Sequence, residues 1–115
     1  MRNDKDNVIV DLTFRFSLDV IDYCEKLGND KKFVLSNQLL KSGTSIGANA
    51  REAQNAESKA DFIHKFKIAA KEADETEYWL LLCKGSKSYP NPNDLLKGLG
   101  VIQRIISKII SSSKK

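Results

Sequence analysis

Ser58-Lys59-Ala60-Asp61-Phe62-Ile63-His64-Lys65-Phe66-Lys67-Ile68-Ala69-Ala70-Lys71-Glu72-Ala73-Asp74-Glu75-Thr76-Glu77-Tyr78-Trp79-Leu80-Leu81-Leu82-Cys83 contains neither glycine nor proline. Phe62, Phe66, Ala69, Ala73, Thr76, Leu80 and Cys83 recur at alternating spacings of four and three. That rhythm puts them on one side of a helix and matches the inner seam of a helical bundle. Ser58 and Asp61 are spaced as a capping box, which marks the start, and Gly85 marks the stop. The seam narrows at Ala69 and Ala73, where a neighbouring helix can approach closely.

Working outward, the same rhythm precedes and follows this helix. Leu35, Leu39, Ser42, Ile46, Asn49, Ala53 and Ala56 continue the four-three alternation and predict a helix over 33–54. Gly43 and Gly47 stand one turn apart inside it. Each interior glycine costs about 1 kcal/mol relative to alanine, so the pair predicts close helix contact. Ser42 to Gly47 is not a phosphate loop, because no Gly-Lys-Ser/Thr follows and no strand precedes it. Upstream, Gly28-Asn29-Asp30 reads as a cap and turn closing a first helix over 11–27. Downstream, Asn91 and Pro92 open a last helix over 92–111, with Leu95, Leu99, Ile102, Ile106 and Ile109 as its seam. Nothing reads as a strand. Four helices with short connections predict an all-α, antiparallel up-down-up-down four-helix bundle, a single domain over 1–115. Met1 to Asn7 is a polar leader without the apolar stretch of a signal peptide, and Ser111 to Lys115 is a polar tail.

The first helix carries two apolar stripes. Phe14, Leu18 and Ile21 lie together; Phe16, Val20, Tyr23 and Leu27 lie nearly opposite. One faces the core and the other predicts burial between subunits. The candidate oligomer interface is Phe16, Val20, Tyr23 and Leu27, with Trp79 from the third helix.

At 115 residues and 41% hydrophobic the chain supports one core. No apolar run is long enough to span a membrane. Cys24 and Cys83 lack CxxC spacing and read as buried free thiols, which predicts a reducing cytoplasm. His64 is the sole histidine, and a di-iron bundle needs two Glu-x-x-His motifs, so neither a metal nor another cofactor is expected. No nucleophilic arrangement is recognisable, and an enzyme is not expected. Glu72, Asp74, Glu75 and Glu77 read as a solvated acidic face, with Lys71 and Glu75 spaced to pair. Glu72 or Glu75 is also placed to meet Arg51 or Lys41 across the bundle.

The net charge is +4, unevenly distributed: residues 31–71 carry eight bases and three acids, residues 72–83 four acids and no base, and residues 84–115 seven bases and one acid. A basic last third fits contact with RNA or DNA. The candidate phosphate contacts are Lys41, Arg51, Lys59, Lys65, Lys67, Lys71, Lys97, Arg104 and Lys108.

Ser36 to Asn49, followed by Arg51-Glu52-Ala53, Ser58 to Phe62 and Ile68 to Ala73, resembles the bacterial four-helix-bundle proteins encoded in intervening sequences of large-subunit ribosomal RNA genes. The accessory variability protein of diversity-generating retroelements is a related member. The resemblance covers most of the chain, with its specific core in the second and third helices. It implies a bundle without established catalysis, often a ring of five subunits, whose accessory members contact nucleic acid and a reverse transcriptase. It also implies a structural role for Gln38, Ser45, Asn49 and Glu52. Two functions follow as expectations: an oligomeric bundle (a pentamer by resemblance) that binds nucleic acid through basic residues without base specificity, or a scaffold that binds a partner protein and no nucleic acid.

Overall fold

The computed structural model describes residues 7–114, so the leader Met1 to Asp6 and Lys115 lie outside the described residues. Four helices form: α1 (Val8–Asn29), α2 (Phe33–Ala53), α3 (Lys59–Gly85) and α4 (Asn93–Ser113). The first begins three residues before the expected Asp11. Asn7 is the reason: its side chain accepts from the Val10 amide and caps the helix there, so Val8 to Val10 are the first turn.

Ser58 caps α3 as expected, accepting from the Asp61 amide at 3.1 Å. The reciprocal bond is displaced by one residue, because Asp61 Oδ2 accepts from the Glu57 amide at 3.2 Å. Asn91 Oδ1 accepts from the Asn93 amide at 2.8 Å, which turns the chain into α4 with Pro92 at the cap. At the α1–α2 turn the left-handed residue is Lys31 (φ 62°), not a glycine. The Lys31 and Lys32 amides donate to Gly28 O and Leu27 O, so the turn closes on the last carbonyls of α1.

Contacts between sequential helices run in opposite order. Along α1 and α2, Asn7 meets Gln54, Thr13 meets Gly47, Val20 meets Gly43 and Cys24 meets Ser36. Between α2 and α3, Glu52 meets Lys65 and Ser42 meets Thr76. Phe16 faces Gly98 on α4, and the Tyr23 hydroxyl donates to Pro90 O at 2.6 Å. Each helix therefore packs against its two neighbours, with α1 diagonal to α3 and α2 diagonal to α4. The bundle measures 46 × 21 × 21 Å.

The seam that starts in α3 is the core: Phe66, Ala69, Ala73, Thr76, Leu80 and Cys83 are buried, and Phe62 packs at its edge. Phe66, Leu39, Ile46, Leu80 and Leu99 are fully buried. Each large apolar side chain removed from water in this way contributes about 1.5–3 kcal/mol. The small middle of α2 lets α1 in. A Cβ at Gly43 would stand 2.9 Å from Val20 Cγ1, and one at Gly47 would stand 3.2 Å from the Thr13 carbonyl oxygen. The glycines are thus required by helix approach, the reason their placement suggested.

Two sequence expectations change. Phe16, Val20, Tyr23 and Leu27 are buried inside one chain, Val20 and Leu27 completely, so they are core and face no second subunit. The exposed stripe of α1 is the other one, with Phe14 59%, Leu18 48% and Ile21 38% exposed. Both stripes are equally apolar in sequence. The bundle selects the one in register with Gly43 and Gly98 because the opposite face of α1 meets no helix. Gln38 and Glu52 are exposed and Ser45 and Asn49 half-buried. Asn49 bonds Ser45 within α2, and Glu52 reaches across to Lys65 of α3.

Candidate nucleic-acid interface

The inward residues of α4 are Leu95, Leu99, Ile102 and Ile106. At 100° per residue, Lys97, Arg104 and Lys108 fall on the opposite side, seven and four residues apart along one outward strip. All three are exposed. None has an ion-pair partner among the described residues, and Asp94 is the one acid in α4. Gly100 leaves the Arg104 guanidinium room beside the helix, with Nη1 3.6 Å from where a Cβ would stand.

On α3, Lys67 and Lys71 are exposed one turn apart on its outer side. Asp74 meets Gln103 of α4, and Ala70 and Ile110 line one crevice, so the basic half of α3 runs beside the C-terminal half of α4. Lys67 and Lys71 thereby flank the end of the strip that holds Arg104 and Lys108. Beyond Lys71 the outer side of α3 turns acidic at Asp74 and Glu75.

The other four candidates are not brought to this face. Lys41 is on the exposed side of α2, across the diagonal from α4. Arg51 lines a groove of about 460 Å³ between α1 and α2, together with Val10, Phe14, Ser17, Thr44, Gly47 and Ala48. Lys59 sits in the first turn of α3. Lys65 pairs with Glu52 at 3.4 Å and staples α2 to α3. The expected pairing of Glu72 or Glu75 with Arg51 or Lys41 is not what forms here: the α2–α3 ion pair joins Glu52 to Lys65. Glu75 instead accepts from Trp79 Nε1 at 3.2 Å, and Trp79 lies half-buried with its ring edge-on to Tyr78.

The polar groups of the core are spent on packing. Thr76 Oγ1 and Ser42 Oγ share a hydrogen bond of 2.9 Å between α3 and α2, and Thr76 also donates to Glu72 O. Ser36 Oγ donates to Cys24 O at 3.0 Å. Burial pushes both cysteine thiols up; Ser36 partly offsets this at Cys24, and Tyr23 does so at Cys83. The Tyr23 phenol is pushed far above its usual range by burial first and then by Cys83. All three groups stay protonated at neutral pH, so neither sulfur is poised as a thiolate. His64 is exposed, and no group of potential metal ligands exists among the described residues. No described helix is long and apolar enough to cross a membrane.

These features define a four-helix bundle with an exposed basic strip on its last helix. The family model for the 23S rRNA-intervening sequence protein matches residues 5–111, and the chain belongs to that family. A crystal structure from the S23 ribosomal protein family of Bacteroides thetaiotaomicron, described as of unknown function, is 42% identical with a TM-score of 0.86. The match covers 90% of this chain and 98% of that one. No curated protein matches the sequence.

Proposed function

We propose that this protein is a non-catalytic, cytoplasmic bundle that assembles with copies of itself and binds nucleic acid through phosphate contacts, without reading bases. The observation that carries the reading is the α4 strip of Lys97, Arg104 and Lys108, exposed and with no ion-pair partner among the described residues. Cations of this kind act as point charges that displace condensed counterions, so binding weakens steeply with salt. Lys67 and Lys71 extend the same surface. Arg104→Glu with Lys108→Glu is expected to abolish most binding of the intact protein to labelled RNA at low salt. Unchanged binding would move the site elsewhere.

A second observation favours assembly and equally suits a scaffold for a partner protein. Phe14 lines the α1–α2 groove with Ala48, Leu18 and Ile21 continue its exposed stripe along α1, and Leu40 of α2 is also exposed. This face replaces Phe16, Val20, Tyr23 and Leu27 as the candidate subunit interface, and Trp79 remains a candidate beside the exposed Tyr78. Leu18→Lys is expected to reduce the assembled mass in light scattering while helix content is unchanged. If the mass stays the same, the face serves a partner protein or neither purpose.

A further inference from the structure

We infer that the α4 strip is built for the backbone of a double helix rather than for a single strand; this rests on the nucleic-acid reading above. Lys97 to Lys108 spans eleven residues of one helix, about 16 Å at 1.5 Å per residue. It lies along one continuous helix, anchored from behind by Leu95, Leu99, Ile102 and Ile106, all buried. It is also convex, being the outer side of a helix at the edge of the bundle. Single-strand binders combine a groove that tracks the backbone with aromatic side chains on which bases stack, and each stacked base contributes about 1–3 kcal/mol. The α4 ridge itself supplies neither, and the exposed Tyr78 lies on α3, seven residues beyond Lys71. Residues 93–113 contain no aromatic side chain. The flanking crevice between α3 and α4 holds about 230 Å³ and is lined by Ala70, Asp74, Gln103, Ile106, Ser107 and Ile110. It offers no ring to stack on and places a carboxylate where a strand would lie.

A flexible strand must also be straightened to follow a rigid row of charges, which costs conformational entropy. A duplex is already stiff over about 150 base pairs and meets the row with its phosphates in place. Three cations on a convex ridge therefore select for a preformed polyanion, with Lys67 and Lys71 placed to reach phosphates beside the ridge. Readout is of charge and shape; RNA and DNA duplexes are both accommodated by this chemistry.

The test is competition on the full-length protein with a labelled 20-base-pair RNA duplex, an unstructured oligouridylate of the same nucleotide count, and the corresponding DNA duplex. The duplexes are expected to compete at least about tenfold better than the single strand. For the DNA duplex, Lys97→Gln, Arg104→Gln and Lys108→Gln together are expected to lower the salt slope by about three. Circular dichroism reports whether that variant keeps its helix content; if it does not, Lys97→Gln alone, expected to lower the slope by about one, replaces it. Equal or better competition by oligouridylate would overturn the duplex assignment and leave the nucleic-acid reading standing. An unchanged slope in a folded variant would overturn the α4 site. Absence of binding to all three probes would sink the nucleic-acid reading and this inference with it.

Discussion

The α1–α2 contact and the wall made by α4 are built from different materials. Between α1 and α2 the side chains are small or hydroxylated: Gly43 takes Val20, Gly47 takes the Thr13 backbone, and Ser36 bonds the Cys24 carbonyl. Ser42 continues the polar thread to Thr76 on α3. The inner face of α4 is all branched aliphatics, and its packing against α1 is the least extensive of the four helix contacts. Shape and hydrogen bonding fix one register on the first side. On the second, apolar area holds the helix without specifying much, and its outer face is free to carry a row of cations. Specificity of fold and capacity for binding are thus housed in different helices.

The largest expected effect tests the aliphatic wall. Ile106→Ala should lower unfolding free energy by about 2–5 kcal/mol in a denaturant titration, because the side chain is buried and leaves a cavity. A loss under 1 kcal/mol would mean that α4 settles into the gap and that the wall is more yielding than the seam.

The seam itself is tested by Gly43→Ala. Alanine gains about 1 kcal/mol in helix propensity, but a Cβ 2.9 Å from the stiff Val20 side chain forces the helices apart, at about 1–3 kcal/mol. A net loss of about 1 kcal/mol is expected, and a stabilised variant would break the comparison by showing slack in the seam. Thr76→Val should also cost about 1–2 kcal/mol, since it strips the Ser42 hydroxyl of its partner across the α2–α3 contact. A double-mutant cycle with Ser42→Ala should recover part of that loss.

Alkali sharpens the contrast at the end of the bundle where Tyr23, Cys24 and Cys83 are buried. Their acidities are weakened in the folded state, so unfolded chains release protons that folded ones keep. Stability is full below the unfolded thiol pKa of about 8.5 and falls as pH rises beyond it, by up to about 1.4 kcal/mol per pH unit for each group. Cys83→Ala should make that decline shallower, measured from midpoints between pH 8 and about 10.5. An identical decline would place the titration elsewhere. The smallest effect belongs to the left-handed Lys31: Lys31→Gly should raise stability by about 1 kcal/mol or less, seen as a small rise in melting temperature.

Periodicity alone determined the helix count, the α3 seam, the cap at Ser58 and the close approach at Gly43 and Gly47, because each is set by spacing along one chain. Lys97, Arg104 and Lys108 stood among nine basic candidates in the sequence, and their intervals put them on one face of a helix wherever that helix is docked. What spacing cannot reveal is which side of an amphipathic element finds a neighbour. The two stripes of α1 are equivalent in sequence, and only docking against α2 and α4 buried Phe16, Val20, Tyr23 and Leu27 and left Phe14, Leu18 and Ile21 outside. The same holds for the cations. Lys41 and Lys97 look alike along the chain, yet one projects from α2 and the other from the diagonal helix. Lys65 looks free and is tied to Glu52. Periodicity is a property of a helix; a surface belongs to the arrangement of four, and that arrangement follows from which faces pack most closely.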